Sequence, residues 1–163
     1  MRKAVRTAFK GGAECIKVMA TGGVMTPNDF MEDPQLSTAE IAIAVEEAHH
    51  KRRIVAAHAE GNPGIQNALN AGVDSIEHGF YVNSDEAHQM VEQGTYLTPT
   101  LVAEAAVANQ GQGQLPDWEV KKAADAMADT YLNLSQAFKI GVKFTCGTDA
   151  GTPFNGFERT PEE

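Results

Sequence analysis

The feature that most constrains the fold is a short apolar stretch ending in a histidine, which occurs on both sides of one helical segment. The region from Val55 to Gly79 reads VAAHAEGNPGIQNALNAGVDSIEHG, and twenty residues separate His58 from His78. The apolar stretches predict strands, while Pro63 and Gly72 mark the start and the end of the helix between them. Neighbouring parallel strands share one carboxyl edge. The repeat therefore predicts that both imidazoles lie at the same edge of a parallel sheet.

Two neutral imidazoles that converge at such an edge would suit a divalent transition metal. Either histidine taken alone is explained more simply as a hydrogen-bonded residue at the end of a strand. The pair, in phase with the repeat, favours the metal site. His49 and His50 close the preceding helix, and we assign them to its C-terminal dipole or to solvent.

The rest of the chain continues the alternation of helices and strands. The predicted strands are Cys15 to Ala20, Ile54 to Ala57 leading into His58, the stretch before His78, Thr95 to Thr98, and Val142 to Cys146. The predicted helices are Met1 to Lys10, Ser37 to about Arg52, Asn62 to Gly72, Ser84 to Gly94, and Pro116 to Lys139. Between Leu101 and Gly113 the pattern is weak. This alternation predicts an α/β protein with five parallel strands.

Two charged residues stand out at the strands. Lys17 lies in the middle of the first predicted strand, and Asp149 follows the last one. A buried lysine that stayed charged and unpaired would be costly, so Lys17 is expected to have a partner, a shifted pKa or a chemical modification. The alternative is that its long side chain reaches the rim of the sheet. A long loop from Val24 to Leu36 is expected to shape or cover a site at the same edge.

Composition and charge exclude several classes of protein. The chain has 163 residues, is 42% hydrophobic, and carries a formal net charge of −9, which argues against nucleic acid or an anionic membrane as the main partner. Cys15 and Cys146 are expected to be small buried residues, because two thiols do not make a disulfide framework. No segment resembles a signal peptide or a membrane span. The natural N-terminus is expected to lie outside the chain, so the compartment stays open, with the cytoplasm as the default expectation.

Four segments resemble the consecutive strand-end motifs of a known family. The segments IKVMATGG, AAHAEG, SIEHG and GTDAGTP occur in this order along nearly the whole chain. They resemble motifs of the metal-dependent amidohydrolase superfamily, in its imidazolonepropionase-like and Xaa-Pro dipeptidase-type branch. The resemblance implies a parallel (β/α) TIM barrel with one or two divalent metals at its mouth. A complete barrel needs about 250 residues, so residues 1–163 are expected to form an incomplete barrel domain, strands four to eight.

The resemblance also assigns roles to individual residues. It implies that the metal ligands are Lys17, His58, His78 and Asp149. Lys17 would be carboxylated and would bridge two metals, with zinc as the expected ion. Asp149 would also handle the proton of the attacking water. Gly22, Gly23 and Glu60 are expected to contact the substrate.

The implied reaction is metal-assisted hydrolysis of an amide-type C–N bond in a small molecule, which would be a dipeptide, an N-acyl amino acid or a cyclic amide. The family's His-x-His pair has no counterpart in this sequence. One alternative is therefore a catalytically silent fragment or a partner-dependent subunit. Another is a lyase that uses Lys17 as a Schiff-base nucleophile. Because five strands leave two open edges, we also expect a homo-oligomer or a missing N-terminal half that covers them.

Overall fold

The computed structural model describes residues 1–163 and contains one sheet of five parallel strands, paired in chain order. The strands are β1 (Ile16–Met19), β2 (Val55–Ala59), β3 (Ser75–His78), β4 (Tyr96–Thr98) and β5 (Lys143–Phe144). The helices are α1 (Arg2–Lys10), α2 (Thr38–His49), α3 (Gly64–Ala71), α4 (Ser84–Gln93), α5 (Leu101–Gln110) and α6 (Asp117–Ile140), and a 3₁₀ helix spans Phe157–Glu162. The predicted five-stranded parallel α/β arrangement is confirmed.

Local signals explain several helix boundaries. At the start of α2, the Ser37 hydroxyl accepts from the Glu40 amide at 3.3 Å, and the Glu40 carboxylate accepts from the Ser37 amide at 2.9 Å. This reciprocal capping box satisfies two free amides of the first turn. Helices α3, α4 and α6 end at Gly72, Gly94 and Gly141, each in the left-handed conformation that glycine adopts without steric cost.

Other boundaries differ from the prediction. Helix α4 is capped by Asn83 rather than Ser84, because the Asn83 side chain forms a capping box with Glu86. The side chain of Asn62 does not cap α3 but donates to the carbonyl of Tyr81 at 3.2 Å. Strand β5 has two residues instead of five, since its only partner, β4, has three. Helix α5 forms where the sequence pattern was weak.

The two sides of the sheet have different surroundings. On one side, alternate strand residues pack against the helices and are buried; these are Ile16, Val18, Val55, Ala57, Ala59, Ile76 and Leu97. On the other side, Lys17 and Met19 of β1 are exposed. Five strands cannot close a barrel, so this second, concave side stays open to solvent. The expectation that Lys17 is buried is therefore wrong for this chain.

The two cysteines also differ from the prediction. Cys15 and Cys146 are both exposed rather than buried. Cys15 precedes β1 and Cys146 follows β5, the two outer strands of the sheet, where no further strand covers them.

None of the helices combines the length and the apolar character needed to cross a bilayer.

Candidate metal centre

The ends of β2 and β3 bring two imidazoles together. His58 and His78 are each 7% exposed, and their ring centroids lie 4.7 Å apart in an edge-to-face arrangement. The ring of His78 also lies 5.6 Å from that of the fully buried Phe80. Two histidines twenty residues apart thus share one buried position at the carboxyl edge of the sheet.

The backbone at His78 departs from regular strand geometry. Residue 78 pairs with Ala59, which belongs to the row of residues facing the helices. A regular strand would therefore direct the imidazole toward the helices, but His78 has a left-handed φ of 75° and its ring lies beside His58 instead. Thr100 and Asp149, which follow β4 and β5, also have left-handed φ values, of 51° and 52°. Such strain costs about 1–3 kcal/mol per residue and is concentrated at functional sites.

Hydrogen bonds engage one nitrogen of each imidazole. Nε2 of His58 lies 3.0 Å from the carbonyl oxygen of Gly22, which can only accept, so this nitrogen carries the proton. Nδ1 of His78 lies 2.7 Å from the hydroxyl of Thr100. Burial lowers the pKa of His58 and holds the pKa of His78 well below its ordinary value. Both rings are therefore neutral at pH 7, the form that binds metals.

A buried carboxylate completes the cluster. Glu60 is 3% exposed; its Oε1 lies 3.8 Å from Nε2 of His58, and its Oε2 has no hydrogen-bond partner. Burial raises the pKa of Glu60 well above its ordinary value. One potential ligand atom from each of His58, Glu60 and His78 lies within 4.8 Å of the others. Two imidazoles and a carboxylate are a zinc donor set, and the unpartnered oxygen leaves one donor free, so these residues fit a divalent metal.

The predicted site residues do not all meet at this cluster. Asp149 is exposed to the same cavity of about 400 Å³ that His58 and His78 line. Lys17 does not line this cavity, because it pairs with Ala56, two residues before the histidine of β2. The structure thus groups three of the four predicted ligands around one cavity. Glu60, predicted to contact the substrate, lies directly beside the imidazoles.

The predicted glycines lie in the wall of the cavity. Gly22 and Gly23 both line it, at the start of the long loop. A Cβ atom at Gly23 would lie 3.2 Å from Cε1 of His58 and 3.3 Å from Oε1 of Glu60. Any side chain at position 23 would crowd the candidate ligands, so the backbone approach there depends on glycine.

Side chains from elsewhere in the chain hold the two loops at the cavity. Nζ of Lys122 donates to the carbonyls of Thr26 at 2.7 Å, Gly23 at 3.2 Å and Asp29, which fastens the long loop to α6. Asn155 Nδ2 donates to the carbonyls of Thr148 at 2.6 Å and Asp149 at 3.2 Å. These contacts fix the loops that carry Gly23 and Asp149.

Sequence reasoning missed Glu104, which lines the same cavity from α5. This residue is 7% exposed, and its Oε2 has no hydrogen-bond partner. Burial, followed by the charge of Asp149, raises the pKa of Glu104 to about 8. The signal that could have found it is its position as the only charged residue of an alanine-rich helix.

Comparison with known proteins identifies the family. Residues 1–162 match the model of the amidohydrolase family. The chain is 40% identical over 151 residues to ochratoxinase of Aspergillus niger, covering 91% of this chain and 31% of the relative. The crystal structure of that ochratoxinase superposes with a TM-score of 0.84 at 34% identity, covering 95% of this chain and 35% of the other.

Two further solved structures are similar. A Xaa-Pro dipeptidase with methionine bound in its active site superposes with a TM-score of 0.85 at 34% identity, covering 99% of this chain and 41% of that one. A prolidase complexed with N-methylphosphonate-L-proline gives a TM-score of 0.85 at 36% identity, covering 96% of this chain and 38% of the other.

The chain belongs to the amidohydrolase family, which is a family of hydrolases that generally use divalent metals. It spans about a third of the length of the curated relatives that it matches. The fold is correspondingly an incomplete parallel barrel. The family and the fold class predicted from the strand-end motifs are both confirmed.

Proposed function

We propose that this chain carries the metal-binding part of a hydrolase that cleaves an amide-type C–N bond. The observation that supports the proposal most directly is the buried cluster of His58, His78 and Glu60, in which two neutral imidazoles lie beside a carboxylate with an unpartnered oxygen. The cluster faces a cavity rather than the packed core. A buried polar group without a partner calls for such an explanation.

The ligand set combines this cluster with residues from the family motifs. His58, His78 and Glu60 would hold the first divalent ion, for which zinc is the expected metal. When bound, such an ion lowers the pKa of a coordinated water toward about 7 and polarises the substrate carbonyl. In a barrel closed by further strands, Lys17 would face the interior, where a carboxylated lysine is an oxygen ligand for a second ion.

Asp149 is assigned the proton transfer. Its carboxylate is exposed to the cavity, and its backbone is held by Asn155. From this position Asp149 would take the proton of the attacking water and deliver it to the leaving nitrogen. Gly22 and Gly23 line the same cavity, and their backbone would contact the substrate there.

The substrate class follows from the relatives and from the cavity. One solved relative is a Xaa-Pro dipeptidase, which supports a dipeptide substrate. An N-acyl amino acid and a cyclic amide are the other two candidate substrates. The cavity of about 400 Å³ lies within the range of small-molecule sites.

The second candidate function is that of a partner-dependent subunit, which has no catalytic activity on its own. The open concave side, with Lys17 exposed, supports it, because the ligand that Lys17 would supply is separated from the cavity. Unpaired edges at β1 and β5 offer places for a second copy or for the remaining part of a barrel. The Schiff-base lyase is disfavoured, since Lys17 does not share the cavity of His58.

Zinc stoichiometry tests this proposal. Protein purified without chelators should hold about one tightly bound zinc ion per chain, because three protein donors are the usual ligand set of a catalytic zinc site. His58→Ala should lose it, because removing an imidazole takes one of three donors. The exposed His50 serves as the matched control, and His50→Ala should bind zinc like the wild type.

Asp149→Asn separates metal binding from chemistry, since it should keep the zinc and abolish any hydrolysis measured with dipeptides. Elemental analysis after dialysis gives the metal content. Tight zinc binding that survives His58→Ala, or hydrolysis that survives Asp149→Asn, would contradict the assignments.

A further inference from the structure

Thr100 occupies an unusual position between β4 and α5. It is 4% exposed, has a left-handed φ of 51°, and stands at the position that caps the amino end of α5. Threonine at such a position ordinarily accepts a hydrogen bond from an amide of the first turn. Here its side chain makes no capping hydrogen bond. Its hydroxyl lies 2.7 Å from Nδ1 of His78 instead.

A distant residue takes over the capping role. The two carboxylate oxygens of Glu163 accept from the amides of Leu101 at 3.0 Å and Val102 at 3.1 Å. A carboxylate at this end of a helix is favourable, because it satisfies free amides and complements the helix dipole. The Thr100 hydroxyl is thereby released from the helix and is available to the imidazole.

The ring of His78 has no other hydrogen-bond partner. It packs between His58 and Phe80, with centroid distances of 4.7 Å and 5.6 Å. Packing against rings holds the plane of an imidazole but does not determine which nitrogen carries the proton. That choice depends on the hydrogen bond made by one of the nitrogens.

We propose that Thr100 is a positioning residue, which accepts the Nδ1 proton of His78 and thereby leaves Nε2 as the nitrogen available to a metal ion. The inference rests on the proposed metal site, but it concerns the tautomer of His78 in the zinc-free protein as well. Thr100 would contact neither the ion nor the substrate, and it acts through His78 alone.

Zinc affinity provides the first test, measured at neutral pH by competition with a coloured chelator. Thr100→Val keeps the size of the side chain and removes the hydroxyl, so zinc should bind about 10–100-fold more weakly, the usual effect of losing a partner of a ligating histidine. Thr100→Ser keeps the hydroxyl and should retain the wild-type affinity.

The matched control is Thr98→Val, because the Thr98 hydroxyl pairs with Thr145 rather than with a histidine. This variant should bind zinc like the wild type. If Thr100→Val fails to fold, Thr100→Ala removes the same hydroxyl without the branched side chain at a left-handed position and decides the question.

The tautomer provides the second test, by ¹⁵N imidazole shifts of zinc-free protein, with His78 assigned by comparison with His78→Gln. The wild type should show His78 protonated at Nδ1, and the hydroxyl-free variant should show a mixture of tautomers. Unchanged zinc affinity together with an unchanged tautomer in Thr100→Val would overturn the proposal. If the wild type bound no zinc, the proposed metal site would be contradicted. The tautomer measurement would still decide whether Thr100 positions His78.

Discussion

Glu47 of α2 and Glu104 of α5 are the same type of residue at nearly the same burial, but their surroundings are opposite. Glu47 is 5% exposed and accepts hydrogen bonds from Arg6 at 2.6 Å and 2.8 Å and from Arg2. These hydrogen bonds lower the pKa of Glu47 to about 2, and the hydrogen bonding from Arg6 makes the largest contribution. Glu104 is 7% exposed, has an oxygen without a partner, and has its pKa raised to about 8.

The difference separates a buried carboxylate that is paired with arginines from a buried carboxyl that has no basic partner. The arginines of α1 compensate the charge of Glu47, and the cluster fastens α1 to α2. No basic side chain compensates Glu104, and the residue lines the cavity beside Asp149. An uncompensated buried carboxyl destabilises the folded chain when it ionises, and its raised pKa beside the cavity makes Glu104 a candidate functional residue.

The largest effect is expected from Glu104→Gln in zinc-free protein. Folded Glu104 keeps a proton that the unfolded chain releases, so its contribution to stability is present below the ordinary pKa near 4.5 and is lost as the pH rises toward about 8. Glutamine does not titrate. As the pH rises from about 4.5 to about 8, the free energy of unfolding of Glu104→Gln should therefore increase relative to that of the wild type, by about 1.4 kcal/mol per pH unit.

Urea unfolding followed by circular dichroism at a series of pH values measures this difference in stability. Because the test uses how the difference changes with pH, any pH-independent effect of the glutamine amide on stability cancels. A pH-independent difference between the two proteins would show that Glu104 ionises normally.

Glu47→Gln should show the opposite dependence on pH, with a smaller effect because the partner arginines are partly exposed. The stabilisation by Glu47 is present above its ordinary pKa and is lost as the pH falls toward about 2. The wild type should therefore exceed the variant in stability at neutral pH and approach it in acid. Thermal melts at both pH values test this, and an advantage that persisted at the acid end would contradict it.

The smallest effect concerns salt. Raising the ionic strength from about 0.1 M to about 1 M shortens the Debye length from about 10 Å to about 3 Å. The stability difference between wild type and Glu47→Gln should shrink, because Arg2 and Arg6 are reached by solvent. The difference for Glu104→Gln should stay nearly constant, since that carboxyl is shielded from solvent ions. Urea titrations at both ionic strengths measure the two stability differences. If salt reduced the difference for Glu104→Gln as much as that for Glu47→Gln, the two carboxyl groups would not differ in their exposure to solvent ions.

Features that depend on neighbours in the sequence were predicted well. The capping box at Ser37, the left-handed glycines at Gly72, Gly94 and Gly141, and the alternation that produces five parallel strands all follow from local backbone chemistry. His58 and His78 could be placed at strand ends because strand and helix periods differ. The four strand-end motifs also identified the family.

Features that depend on contacts between distant residues could not be predicted in this way. Whether Lys17 and the cysteines are buried depends on which strands lie beside β1 and β5, and no local pattern encodes that. The partner of His78 is Thr100, 22 residues away, and Thr100 is free for it because Glu163 caps α5 from 62 residues away. The buried, unpartnered carboxyl of Glu104 likewise exists only once α5 has packed against α6. Hydrogen bonding and burial are properties of the assembled surroundings, whereas caps, turns and strand periods are properties of a few consecutive residues.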